Sequence, residues 1–370
     1  MAVYRIFPEK DTFISSEVPT GNAGKDEIIE IGGYTDISGV GATNRLLTQY
    51  STSEIQNTIS TKIGAANYSA SLCLYLADAY EVPVDYNLYA YPIYGSWDNG
   101  VGKFGDIPTN TTGVSWQYKQ VGQSAPWTTT GFAAGTTGSF LSGSTAGGGN
   151  WYTGSAGINL ESTQSHTLNS SNDVDINVTE AIKLFNNNTL SNNGFIIKLP
   201  NDLEYNLSAS IRLKYFSADT NTIYPPFLEF KWDDSTYITG SLSVLSNSNS
   251  IINLTNNKSK YADNGKQRFR LSARPKYPVR SFTTSSAYLT NYALPSASYW
   301  GLRDENTEEM VVDFDTRFTK ISCDSNGAFF DVYMDGLQPE RYYRILVKTT
   351  LDGSTTVVDN QNIFKVVRNG

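Results

Sequence analysis

The chain has 370 residues, with 28 Lys and Arg against 36 Asp and Glu and a formal net charge of −8. Only 17% of residues are charged, while 13% are Phe, Trp or Tyr and 30 are glycine. This excludes a long helical bundle, which draws on Ala, Glu, Lys, Leu and Arg, and excludes disorder, because so much aromatic and apolar surface can bury a core. The acidic balance excludes a general nucleic-acid binder that works by neutralising phosphates.

At ~100 to 200 residues per domain, the length predicts two domains. No stretch approaches the ~18 consecutive apolar residues of a membrane span, so no membrane contact is expected. The start, Met1 to Asp11, lacks the charged, apolar and small-residue regions of a signal peptide, so the chain is expected to be made and folded in a cytoplasm. Cys73, between Leu72 and Leu74, and Cys323, after Ile321 and Ser322, read as small buried hydrophobes rather than a disulfide or metal pair.

In chain order, short apolar or alternating runs separated by turn residues predict strands. They are Val3 to Phe7, Thr12 to Ile14, Glu27 to Ile31, Arg45 to Tyr50, Ala70 to Ala77 and Tyr86 to Ile93. From Tyr94 to about Ser165 the pattern becomes irregular and rich in Gly, Thr and Ser, with Trp97, Trp116, Trp127 and Trp151 scattered through it. One short helix is predicted over Val178 to Phe185, capped by Asn177 or Thr179 and ended by Asn186, Asn187 and Asn188. Strands resume at Gly194 to Leu199, Ile211 to Phe216 and Phe227 to Trp232, the last entered through Pro225 and Pro226. A polar stretch from Asp233 to about Gly265 predicts a junction, so the expected layout is 1–235, a linker at 236–265, and 266–370. Beyond it, strands are predicted at Gln267 to Ser272, Glu309 to Phe314, Ala328 to Met334, Tyr342 to Thr349 and Asn362 to Val367. The fold class expected is all-β.

Between Asp11 and Trp232 the order of several fragments resembles a known family. They are DTFISSEVPTGNAGKDEIIEIGG from Asp11, NRLLTQYS from Asn44, ASLCLYL from Ala70, YGSWDNGVG from Tyr94, DVDINVTEAIKLFNNNTLSNNGFIIKL from Asp173 and IRLKYFSADTNTIYPPFLEFKW from Ile211. Together they resemble the DNRLRE-type jelly-roll modules, which are similar to carbohydrate-binding modules. The resemblance implies a jelly-roll β-sandwich over 1–235, departing from the family by an insertion at about 105–165. In the second half, Leu337, Pro339 and Tyr343 resemble the corner of immunoglobulin or fibronectin type III-like sandwiches, where the tyrosine hydroxyl bonds back to the backbone. The wider chain, including Arg274 to Ser325, is similar to structural proteins of marine tailed phages. That resemblance implies a place in the virion tail or neck, synthesis in a host cytoplasm, and partners that are other virion proteins in a symmetric homo-oligomer.

Few residues point to chemistry. His166 is the only histidine and lies in a polar run, Ser162 to Thr167, that predicts a solvent-exposed loop. No Gly-x-Ser-x-Gly elbow, Walker A loop, Gly-x-Gly-x-x-Gly or Cys-x-x-Cys is present. The carboxylates Glu81, Asp85, Asp98, Asp106, Asp233 and Asp234 read as solvated surface groups. Asp304, Glu305, Glu308 and Glu309 beside Arg303 read as an exposed loop or a subunit contact. No enzyme activity, cofactor or metal is expected.

Two other groups are candidates for contacts. Trp97, Trp116, Trp127, Trp151 and Tyr152 admit three roles: a platform for stacking host glycans, a subunit contact, or internal packing of the insertion. Arg268, Arg270, Arg274 and Lys276, in the stretch from Lys266 to Arg280, read as a docking strip for an acidic neighbour or as a solvated strand face. The function expected is assembly of a tailed-phage virion, with host-glycan attachment as the alternative.

Overall fold

The computed structural model describes residues 2–35, 39–83, 85–120, 125–127, 136–138, 147–155, 157–206, 210–279 and 286–369. Of the insertion expected at 105–165, residues 121–124, 128–135, 139–146 and 156 lie outside the described residues, as does Arg280 at the end of the basic stretch. The protein is all-β, with strands throughout and only short helices. It divides into two compact units, one comprising Ile6–Gly64 and Ser69–Glu229, the other Met1–Arg5, Ala65–Tyr68 and Phe230–Gly370.

The main sheet of the first unit runs in the order Ser162–His166, Tyr86–Pro92, Phe195–Lys198, Gly41–Gln49, Ile28–Thr35, Ile211–Phe216 and Leu76–Tyr80. Lys10–Ser15 also pairs with Gly41–Gln49, setting Ile14 opposite Arg45 and Thr12 opposite Leu47. In Ile211–Phe216, Ile211, Leu213 and Tyr215 are buried while the residues between them are half-buried. That is the two-residue period of a strand with one face inward. Gly41–Gln49 breaks the pattern, because every residue from Ala42 to Thr48 is buried. A strand buried on both sides needs a covering layer on its second face.

The predicted helix occurs at Thr179–Asn186 and buries Ala181, Ile182, Leu184 and Phe185, with Glu180 and Lys183 paired at 2.7 Å on its outer side. Asn177 Oδ1 accepts the Thr179 amide at 3.0 Å. Two turns are too short to persist alone, and Phe185 packs on Phe195 with ring centroids 5.5 Å apart. Two further helices were not expected from the pattern. Thr52–Asn57 runs on into a π-helical turn at Thr58–Ile63, and Asn201–Glu204 follows Pro200 directly.

In the second unit a sheet ordered Ser250–Leu254, Lys266–Pro275, Gly327–Tyr333 and Ser322–Asp324 accompanies one ordered Lys260–Ala262, Ser354–Val367, Tyr342–Leu351, Ser298–Asp304 and Met310–Val312. Both contribute to one apolar core, with Phe269, Leu271, Phe330 and Val332 from the first and Trp300, Ile345, Val347 and Phe364 from the second. The arrangement is β-sandwich-like. The polar stretch expected as a linker at 236–265 carries two of these strands. Ser250–Leu254 pairs antiparallel with Lys266–Pro275, and Lys260–Ala262 pairs parallel with the end of Ser354–Val367. Its Ser and Asn content hid them, because Ile252 and Tyr261 are their only fully buried side chains.

Candidate functional site

The layer that covers Gly41–Gln49 is built around a charge. On the face that carries Leu47 and Ile196, Arg45 lies completely buried, and so does its partner Glu204. The guanidinium meets the carboxylate through both arms, Nε to Oε1 at 3.0 Å and Nη2 to Oε2 at 2.8 Å. Nη2 also donates to the Tyr205 hydroxyl at 2.9 Å and Nη1 to the Gly148 carbonyl at 2.5 Å. Two indoles flank it, Trp116 at 5.0 Å and Trp151 at 5.4 Å from ring centroid to guanidinium carbon. Such planar stacking combined with bidentate pairing suits arginine and not lysine. Burial works against the Arg45 cation, but Glu204 and then Tyr205 outweigh it, so the guanidinium holds its proton more firmly than usual.

Lys198 joins the same carboxylate. Its Nζ is 3.1 Å from Glu204 Oε2, donates to the Leu199 carbonyl at 2.5 Å and to Asn201 Oδ1 at 3.1 Å, and lies 5.9 Å from the Trp151 ring centroid. Burial lowers its pKa to about 8, despite the opposing pull of Glu204, and the Arg45 charge adds to the depression. Short local geometry makes the cluster. Strand Phe195–Lys198 delivers the lysine, Pro200 stops the strand, and the single turn Asn201–Glu204 brings the glutamate back beneath it.

The tryptophans close this site and do not present a surface. Trp97, Trp116, Trp127 and Trp151 are 1%, 0%, 1% and 5% exposed and share an apolar cluster with Ile14, Leu47, Tyr91, Ile93, Val114 and Ile196. Trp97 Nε1 donates to the Asn193 carbonyl at 2.9 Å, and Trp127 Nε1 to the Ser115 carbonyl at 3.1 Å. Of the three roles open to them, the structure leaves internal packing, because an indole this enclosed offers no face to a sugar or a neighbouring subunit. Tyr152 is half-buried, its ring 5.3 Å from that of Tyr94. Gly148 closes the layer in a left-handed backbone conformation, φ +88°, where a side chain would run into Arg45 and the Trp116 ring.

The basic strip is also internally paired for half its length. Arg268 makes a bidentate pair with Asp331 at 2.8 and 3.0 Å, and Arg270 one with Asp324 at 3.0 and 2.7 Å. Both guanidinium groups stand over Phe329, at 4.0 and 5.3 Å. A docking role for these two must therefore compete with carboxylates of their own sheet. Arg274 lies 5.2 Å from the Tyr288 ring and donates to the Pro275 carbonyl at 3.2 Å, and Lys276 lies 5.7 Å from the Tyr277 ring.

The corner residues are placed as their pattern implied. Tyr343 is buried and its hydroxyl donates to the Gln338 carbonyl at 2.9 Å, with Leu337 buried beside the core and Pro339 between them in sequence. Two expectations need correction. His166 is not an exposed loop residue but ends a strand, 1% exposed, with Nδ1 2.9 Å from the Ser171 carbonyl and its ring stacked on Tyr86 at 4.6 Å. Alternation along Ser162–His166 turns it inward opposite Tyr86. Asp304 is likewise no exposed acid. It is buried, bonded to the amides of Asn306 and Thr307, and paired with Arg341, while Glu305 pairs with Arg344.

Sequence reasoning passed over one open feature. In the second unit Ser235, Tyr237, Ser296, Ala297, Tyr299, Lys320 and Ile321 line a groove of about 350 Å³. The Tyr237 ring is fixed there by its hydroxyl, which donates to the Leu294 carbonyl at 2.6 Å, yet the residue is 40% exposed. Its lining residues come from separate segments, so no spacing motif announces it. Among the described residues, no group of three or more His, Cys, Asp or Glu could hold a metal ion. No helix among them is long and apolar enough to cross a membrane.

No protein-family model matches the chain, and no curated protein matches it significantly.

Proposed function

We propose that the protein is a structural component of a tailed-bacteriophage virion, in the tail, neck or baseplate region, acting by assembly with other virion proteins and with symmetric copies of itself. In this reading the first unit is a jelly-roll sandwich of the DNRLRE type and the second an immunoglobulin or fibronectin III-like sandwich. The bond from Tyr343 to Gln338 supports the second assignment. The observation that carries the proposal is the direction in which the charged and aromatic groups point. Arg45, Glu204 and Lys198 lock the insertion onto its own sheet, and Arg268, Arg270, Arg341 and Arg344 close on carboxylates of their own unit. A scaffold built this way presents rigid faces and strand edges, which is what assembly requires, and no catalytic step is assigned to it. Mild dissociation of purified particles followed by mass spectrometry should find the chain at fixed stoichiometry. Its presence only in infected-cell lysate would overturn the reading.

A second reading rests on the groove between Tyr237 and Tyr299. Aromatic faces beside Ser235, Ser296 and Lys320 are the kinds of group that hold a sugar ring by stacking and hydrogen bonding. Attachment to host glycans would then run through this groove and not through the buried tryptophans. A glycan array probed with the wild type and with Tyr299→Ala tests it, and equal signals from the two would dismiss it.

A further inference from the structure

The buried cluster holds two cations, Arg45 and Lys198, against one carboxylate, Glu204. Asp202, on the exposed side of the same turn, is the other charged group that acts on the lysine. An excess cation away from water is costly unless it loses its proton or its charge. Asn201 supplies a way to lose it for good, since its side-chain oxygen is 3.1 Å from Lys198 Nζ and the carboxylate oxygen of Glu204 is also 3.1 Å from that nitrogen.

We propose that Lys198 and Asn201 are joined by an internal isopeptide bond, with Glu204 carrying the proton. The Lys198 nitrogen attacks Cγ of Asn201, forming the Nζ–Cγ bond. The Cγ–Nδ2 bond breaks and Nδ2 leaves as ammonia. Glu204 Oε2 takes a proton from the attacking nitrogen and passes it to the departing one, so it ends as it began. No oxidant or further reactant is needed. The three groups are held together by the strand end, Pro200 and the single turn, which removes most of the entropic cost of the encounter. Arg45, through its two-armed contact, holds the Glu204 carboxylate in place, with Oε2 3.1 Å from the Lys198 nitrogen whose proton it accepts. Burial leaves the amine with a pKa of about 8, which makes the nucleophilic form accessible near neutrality. The exposure of Asn201 lets ammonia escape to solvent. Once the bond forms, the cluster keeps one cation and one carboxylate, and the strand end is stapled to the turn that carries Glu204.

The experiment is the intact mass of the full-length folded protein after incubation above pH 8, with tryptic mapping. The wild type is expected to weigh less than its sequence by one ammonia, and trypsin should leave Leu184 to Arg212 as one peptide, uncut after Lys198. Lys198→Arg and Asn201→Ala should each show the full mass. Asn201→Ala changes an exposed side chain, so it keeps the test sound even if Glu204→Gln, also expected to show the full mass, fails to fold. A full-mass wild type that trypsin cuts after Lys198 would overturn the proposal. So would ammonia loss that survives Lys198→Arg, which would mark ring closure of Asn201 on its own backbone.

Discussion

Arg45 and Glu204 lie 159 residues apart in the chain and form a bidentate ion pair with neither side chain exposed. Removing the carboxylate leaves Arg45 and Lys198, the two buried cations that share it, without a counter-charge, at a cost of about 3–5 kcal/mol. Glu204→Leu is therefore expected to lower the urea midpoint of unfolding strongly. Adding Arg45→Met to it should recover part of the loss, because one of the two orphaned cations is then gone. A double variant no more stable than Glu204→Leu would contradict the assignment of the cost to buried charge.

The tryptophans are predicted to act on stability and not on surface binding. Trp116→Ala removes a fully buried indole and should cost about 3–5 kcal/mol in chemical denaturation. Tyr277→Ala, at a side chain 74% exposed, should stay within about 0.5 kcal/mol of the wild type. Similar midpoints for the two variants would be inconsistent with the buried layer.

Two groups in the first unit make stability depend on pH with opposite signs. Burial raises the Asp11 pKa from 3.8 to about 7, against the Ala218 amide that bonds its carboxylate. Between those values the folded chain binds more protons than the unfolded one, so this group makes stability fall as pH rises from about 4 to 7. In Asn201→Ala, where Lys198 keeps its free amine, the pKa lowered from 10.5 to about 8 means that the unfolded chain binds more protons, so its contribution rises between about pH 8 and 10. Denaturation midpoints of Asp11→Asn should lose the acid-side decline, and adding Lys198→Met to Asn201→Ala should remove the alkaline rise. Profiles unchanged by these substitutions would rule out these two groups as the cause.

Tyr343→Phe keeps the buried ring and removes the hydroxyl that reaches the Gln338 carbonyl. The expected loss is about 1 kcal/mol, the usual net worth of one such bond. Thermal unfolding should show a modest fall in midpoint with an unchanged circular dichroism spectrum. A variant as stable as the wild type would mean that the corner is held by packing alone.

Much of the fold was legible because strand alternation is a local property. Ile211–Phe216 occurs where its alternation placed it, and Phe227–Trp232 where the run entered through Pro225 and Pro226 placed it. The basic run Gln267 to Ser272 is the heart of the longer strand Lys266–Pro275. The helix at Thr179–Asn186 was readable from its apolar face and from Asn177 just before it, whose side chain accepts the Thr179 amide. Helices of one or two turns, such as Asn201–Glu204, were not, since four residues carry no period. The strands Ser250–Leu254 and Lys260–Ala262 escaped because most of their residues are polar or only half-buried, and pairing with Lys266–Pro275 and with Ser354–Val367 is what defines them.

The sequence by itself determined the all-β class, most strand positions and the residues able to fill a core, because composition and period are written in neighbouring residues. Only the tertiary structure decided which charged and aromatic groups face inward. Arg45, read as part of a strand, became the centre of a buried cluster because Glu204, Gly148, Trp116 and Trp151 converge on it from separate segments. His166 and Asp304 changed from surface candidates to packed residues, and of the three roles open to the four tryptophans their burial favours internal packing, for the same reason. Burial is fixed by what a fold places opposite a side chain, and for these residues the opposing groups lie outside the reach of any local pattern.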